Sequence, residues 1–241
     1  MKKSNTDTCC LTLPLKLEKW QEDRLAKRFE IARQLYNTLV HAELKRLAQV
    51  KQTAEYRENE RKIRTLDRNN PADRAELSEL YQKQKTMLDA KFRKSYFKKH
   101  MENYYKHFRD NIGSSVAVHG IAPQVWAAFD KVLFKKGGKK VHYKKPGEVN
   151  SVQGYSRTGK SGGREIMFRG AYIEWKGLKL PLKLSPDNAY ETDMLQRRVK
   201  LVRLVRRPGK RRDRWYAQLV LEGKPAIKAD PVTGKAVHPI G

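Results

Sequence analysis

The long helical period of the chain gives way to alternation late in the sequence, and that change constrains its fold more than any other feature. Between residues 19 and 133 apolar side chains recur at three- to five-residue steps, as on one face of a helix; from residue 164 onward they alternate, as in half-buried strands. One strand-like run stands ahead of the helical region: residues 11–17, Leu-Thr-Leu-Pro-Leu-Lys-Leu, with Pro14 marking an edge or a bulge. A strand placed before the helices needs a partner, which the later strands can supply. The expected fold is therefore α+β, a small antiparallel β-barrel interrupted by an inserted helical domain. Residues 1–17 would give the first barrel strand, 18–136 the helical domain, and 137–241 the rest of the barrel with its basic loops.

The helical pattern divides at recognisable stops. Leu25, Phe29, Ala32, Tyr36, Leu39 and Leu44 form one stripe over residues 19–52, with Arg24, Lys27, Arg28 and Lys45 on the opposite face. A polar helix over 54–66 ends at Asn69, Asn70 and Pro71, and Pro71 suits the first turn of the next helix. From there to about residue 109 no further Pro or Gly interrupts, which fits one long helix or two. Gly113, Ser114 and Ser115 read as a stop and a new N-cap for a short helix to His119. Gly120 and Pro123 then restart the pattern for a helix carrying Val125, Trp126, Phe129 and Leu133. Gly137, Gly138, Pro146, Gly147 and Gly154 end the helical region. Strands are predicted over 165–169, 172–175, 178–184, 198–206 and 214–222, the last two as a hairpin through Pro208-Gly209.

Charge narrows the function. Lys and Arg number 53 against 26 Asp and Glu, a net charge of +27 with a pI near 10.1. Polyanions are the natural partner of such a chain, because neutralising phosphates releases condensed counterions. A membrane is set aside: mean hydropathy is −0.82 and no apolar run reaches the roughly 18 residues of a spanning helix. Lys2 and Lys3 are followed by no apolar stretch, which argues against a secretory signal and for the cytoplasm. Cys9 and Cys10 are adjacent, poorly placed to pair with each other, and expected as buried thiols of the first strand. The histidines form no HExxH and lie near no cysteine, and no paired carboxylates suit two-metal chemistry. No catalytic residue, metal or cofactor is therefore assigned to this chain.

The candidate phosphate-binding residues are Lys135, Lys136, Lys139, Lys140, Lys144 and Lys145 in one run, and Arg206, Arg207, Lys210, Arg211 and Arg212 around the hairpin turn. A third basic stretch covers Lys91 to Lys106. Tyr96, Tyr105, Tyr143 and Trp215 are interleaved where bases could stack. Residues 154–161, Gly-Tyr-Ser-Arg-Thr-Gly-Lys-Ser, fit the literal phosphate-loop pattern. A polar stretch precedes them and a strand-like run follows, where a phosphate loop needs a buried strand before it and a helix after it. The expected role of this segment is a flexible basic loop.

With this order of elements, short motifs resemble the N-terminal half of the TnpB family of transposon-encoded RNA-guided nucleases and of its relatives, the compact type V CRISPR effectors. Residues 32–37, Ala-Arg-Gln-Leu-Tyr-Asn, are similar to the family's first helix. Residues 127–134 followed by the basic run 139–145 are similar to its helix end and lysine-rich segment. Residues 173–184, 199–207 and 214–222 are similar to its later strands. The resemblance implies a wedge-like barrel that grips a guide RNA and a helical domain that reads a short target-adjacent motif in DNA and holds the guide–target duplex. It implies Ser115, His119, Gln153 and Tyr155 as candidate readers of that motif, and Tyr36 and Asn37 as structural residues tying the first helix to the barrel. It also implies that the RuvC-type catalytic domain, with its magnesium, would begin beyond Gly241, so that cleavage would need a RuvC-containing polypeptide supplied elsewhere. The rival readings are a stand-alone basic RNA- or DNA-binding protein and, more remotely, a phosphate-loop NTPase.

Overall fold

A computed structural model describes residues 7–135, 138–156 and 166–225, together with the backbone of 228–229 and 236–237. It is mixed α and β. Strand β1 (Thr8–Pro14) is followed by α1 (Lys19–Lys51), α2 (Ala54–Thr65), α3 (Pro71–Lys91), α4 (Lys94–Tyr104), a π-helical segment (Ser115–Ile121) and α5 (Ala122–Leu133). Then come β2 (Ser151–Tyr155), β3 (Ile166–Phe168), β4 (Tyr172–Trp175), β5 (Leu178–Pro181), α6 (Ala189–Leu195), β6 (Val199–Arg207), β7 (Arg214–Glu222), β8 (Lys228–Ala229) and β9 (Ala236–Val237). The chain forms two compact units. The first holds Met1–Ala32, Phe108–Val116 and Gly147–Gly241; the second holds Arg33–His107 and Ala117–Pro146.

In the first unit all pairing is antiparallel, in sheets of order β1-β7-β6-β2 and β3-β4-β5, with a small β8-β9 pair. The strand ahead of the helices does find its partner late in the chain: Leu11 lies opposite Leu219 and Leu13 opposite Ala217, and all four are buried. Beyond Pro14 the Leu15 N–H still donates to the Trp215 carbonyl of β7 at 2.9 Å, while Leu15 also bridges to Leu182 at the end of β5.

The expected barrel does not close, because the sheets remain open among the described residues. The free edge of β2, which closure would pair, donates the Tyr155 N–H to Ser115 Oγ at 2.6 Å. Gly154 makes room for this plug. A Cβ there would lie 3.2 Å from Ile166 Cγ1 and 3.3 Å from both Ser115 Oγ and Val116 Cγ2. Gly154→Val is accordingly expected to cost about 2 kcal/mol by overpacking. An unchanged urea midpoint would contradict the close packing.

The first part of α1 buries Leu25 and Phe29, with Phe29 edge-on to Trp215 at 5.1 Å between centroids. Arg28, expected on the solvent face, is instead 7% exposed and donates to the carbonyls of Trp175 and Lys176. Those carbonyls belong to the tight β4–β5 turn, where Lys176 (φ 49) and Gly177 (φ 76) are both left-handed, the geometry of a two-residue hairpin. The helix is thus tied to the turn through two of its carbonyls. Burial, then Arg24, lowers the Arg28 pKa to about 10, so it stays charged at neutral pH. Since that value lies below the ordinary arginine range, the penalty for charging it is full below about pH 10 and fades above it. Cys9 is half-buried and Cys10 exposed, both free, because the strand alternation turns Leu11 and Leu13 inward. The expectation of two buried thiols is therefore corrected.

In the second unit Leu35, Leu39, Phe92, Phe97, Met101 and Phe129 form the core. Phe97 meets Phe129 and Trp126 at 5.2 and 5.3 Å between centroids. Two helices follow Pro71, divided at Phe92, whose extended backbone turns its ring into this core. Neither Gly nor Pro marks the division. Asn70 caps α3, accepting the Ala72 N–H at 3.1 Å. The polar face pairs partly as helical spacing suggests: Glu58 meets Lys62, whereas Lys83 reaches Glu55.

Strands β2, β8 and β9 and helix α6 lie outside what the sequence pattern predicts. Strand β2 contains Gly154, which reads as a breaker, and its other residues are short or polar. Helix α6 has a readable signal, Asn188 three residues ahead of Glu191, and Asn188 Oδ1 does accept the Glu191 N–H at 3.2 Å.

Candidate nucleic-acid interface

The second unit contains a clamped basic strip. Helical spacing puts Arg33, Tyr36, Asn37 and His41 on one face of α1. Asn37 pairs with the Lys144 peptide as a neighbouring strand would: Oδ1 accepts the N–H at 2.8 Å and Nδ2 donates to the C=O at 2.9 Å. Arg33 Nη1 donates to the same carbonyl at 3.0 Å. The Lys144 ammonium lies 4.5 Å from the centre of the Tyr36 ring, and His41 Nδ1 lies 3.3 Å from the Tyr143 hydroxyl. Val141 is buried beneath the same run. A segment with no regular hydrogen bonding of its own is thereby fixed, with Lys139, Lys140, His142, Tyr143 and Lys145 exposed along it. Tyr36 and Asn37 are structural, as expected, but what they hold is this basic segment. Lys144 is half-buried on Tyr36, so its charge is partly spent inside the clamp.

Asn37→Ala removes both side-chain bonds and is expected to release the strip. Trypsin should then cut between residues 139 and 145 about tenfold faster, the equivalent of about 1.4 kcal/mol of local stability. Equal cleavage rates in variant and wild type would contradict the clamp.

The remaining cations divide by what already engages them. Lys135 pairs with Asp130 at 2.5 Å, and Lys136 lies outside the described residues. Arg206 turns inward, donating to the Gly147 carbonyl at 2.5 Å and facing Asp213 at 3.6 Å, so it supports the loop before β2. Arg212 forks onto Glu22, with Nε at 3.0 Å and Nη2 at 2.9 Å, and also reaches the Leu17 carbonyl. Arg207 lies 4.7 Å over the Tyr216 ring, while Lys210 and Arg211 are exposed at the turn. Among the rings, Trp215 is buried in the core and is corrected as a stacking candidate. Tyr96 is half-buried against Arg46, Tyr105 is half-buried, and Tyr143 is exposed.

Of the candidate motif readers, Ser115 is fully buried and its hydroxyl serves the edge of β2, which leaves it no face toward a base. His119 is exposed in the second unit; partial burial, then Lys98, lowers its pKa, and Glu102 opposes them. Gln153 and Tyr155 stand on the outward face of β2 in the first unit. There Gln153 joins a row that crosses the whole sheet. Arg203 donates to Gln153 Oε1 at 3.0 Å and to Gln218 Oε1 at 3.5 Å, and Gln218 Nε2 donates to Thr12 Oγ1 at 3.4 Å. Sequence reading missed this row: alternation in β7 sets Gln218 opposite the apolar face of Trp215, Ala217, Leu219 and Leu221, but in β6 Leu201 and Val205 share the face of Arg203 and hide it.

Of residues 154–161, Gly154 and Tyr155 lie within β2, and 157–161 fall outside the described residues. A strand does precede the pattern, against the reading of a polar stretch. Gly154 is packed inside that strand, however, and the chain re-emerges as β3. Among the described residues no three His, Cys, Asp or Glu side chains converge to hold a metal, and no helix is long and apolar enough to cross a membrane. Compared with protein-family models and with curated proteins, the sequence matches none.

Proposed function

We propose that this protein binds nucleic acid, and that it serves as the guide-RNA- and target-DNA-binding lobe of a TnpB-like RNA-guided nuclease. The observation that carries the reading is the clamped strip, in which one helix face fixes the Lys144 backbone and leaves Lys139, Lys140, Tyr143 and Lys145 exposed. Fixed cations lose less conformational entropy on meeting a phosphate backbone than flexible ones. The net charge of +27 supports the same partner. The family assignment rests on the resemblance of short motifs such as residues 32–37, whose Arg, Tyr and Asn also hold the strip.

In this reading base pairing in the guide selects the target, while the protein contributes shape and charge. Cutting, with its magnesium, is assigned to a RuvC-type part outside residues 1–241. The test is the RNA that copurifies with the expressed chain in its native host. One structured RNA species, enriched above bulk RNA and protected from nuclease, is the expected result. Bulk RNA in proportion to abundance would reject a dedicated guide and leave a general nucleic-acid binder.

A further inference from the structure

We infer that the outward face of the β1-β7-β6-β2 sheet is a second nucleic-acid site, one that takes unpaired nucleotides by stacking. This rests on the nucleic-acid reading but on different residues and in the other unit from the strip.

The strand register sets three planar groups on one diagonal. Tyr155 lies opposite Leu201; Arg203, two residues along β6, lies opposite Gln218; and Tyr216, two residues further in the same direction, lies opposite Val205. Each step spans one strand and two residues, so neighbouring planes are about 8 Å apart at their backbones. That spacing suits successive nucleotides of an extended single strand, whose bases stack on tyrosine rings and on guanidinium planes. A duplex, with its bases already stacked, offers no such faces.

The planes are held ready. Arg203 is tied sideways to Gln153 on one side and Gln218 on the other, and the group itself is exposed. Tyr155 is 44% exposed, and the half-buried Tyr216 carries the Arg207 guanidinium over its ring at 4.7 Å, so the plane offered at that end is a guanidinium stacked on tyrosine. Among the described residues, the anion these strands place on this face is Glu222, which sits at the far end of the sheet and is matched by Arg198 and Lys200. The diagonal therefore presents cations and π-faces together, which is the complement of a single-stranded polyanion.

The test uses the full chain and a single strand of about 12 nucleotides, oligouridylate or oligothymidylate, carrying 2-aminopurine, beside a duplex of the same length. Binding with quenched 2-aminopurine fluorescence is expected for both the RNA and the DNA strand. Tyr155→Ala and Arg203→Lys should each weaken it roughly 5- to 100-fold, while Tyr155→Phe keeps it and duplex binding stays unchanged. Arg203→Lys retains the charge, so its loss reports the plane. Duplex binding with no single-strand quenching, or single-strand affinity within twofold of wild type in both variants, would overturn this site and leave the strip standing. Binding to neither nucleic acid would overturn both.

Discussion

Replacing Glu43 with alanine is expected to remove about 2–3 kcal/mol of stability, because it empties a buried site and removes the carboxylate that two partly exposed partners face. Glu43 lies on α1 in the second unit and is fully buried. One carboxylate oxygen meets His100 Nδ1 from α4, and the other faces Arg46 Nη1 at 3.6 Å. Arg46 lies in turn over Phe92 and Tyr96, at 5.2 and 5.4 Å from their ring centres. Truncation leaves a cavity and strands the Arg46 and His100 partners beside an apolar core. Glu43→Gln keeps the volume and one acceptor, so it should cost distinctly less. Urea unfolding reads both. A loss below about 1 kcal/mol for the alanine variant would mean that the network contributes little to this unit.

Reversing Lys139, Lys140 and Lys145 to glutamate should lower duplex affinity by about 100- to 1,000-fold near 0.1 M salt. It should also flatten the plot of log K against log salt by about 0.9 for each phosphate that is no longer neutralised. The control is an equal change of charge elsewhere. Arg61, Lys62 and Arg64 on α2 already pair with Glu58 and Glu60 in the same unit. Their reversal should therefore change the slope much less. Equal losses in both triple variants would show that total charge, rather than the clamped strip, determines binding.

What the sequence made legible follows from how local each signal is. Period and punctuation are local, so the strand before the helices, the stop at Asn70-Pro71 and the β6–β7 hairpin could all be read. Pairings between distant residues left no such trace. Arg28 fits the polar face of its helix by spacing, yet it is buried against a turn almost 150 residues later, whose carbonyls accept from it. Ser115 reads as a capping or base-reading hydroxyl, and it instead occupies a strand edge 40 residues on. The expected barrel fails for the same reason, since composition can propose strands but cannot show what takes an edge. The basic strip was visible as charge. Its fixation by Asn37 was not, because an asparagine in mid-helix carries no mark of the peptide it pairs with. The polar row on the sheet was legible only in β7, since in β6 Arg203 shares its face with Leu201 and Val205.

The central claim, that this chain engages a phosphate backbone through fixed cations, is tested most directly by the wild-type affinity for a short RNA or DNA duplex across a range of salt. The account predicts a linear fall of log K with log salt, with a slope reporting several neutralised phosphates. A slope near zero, or no binding at low salt, would contradict it.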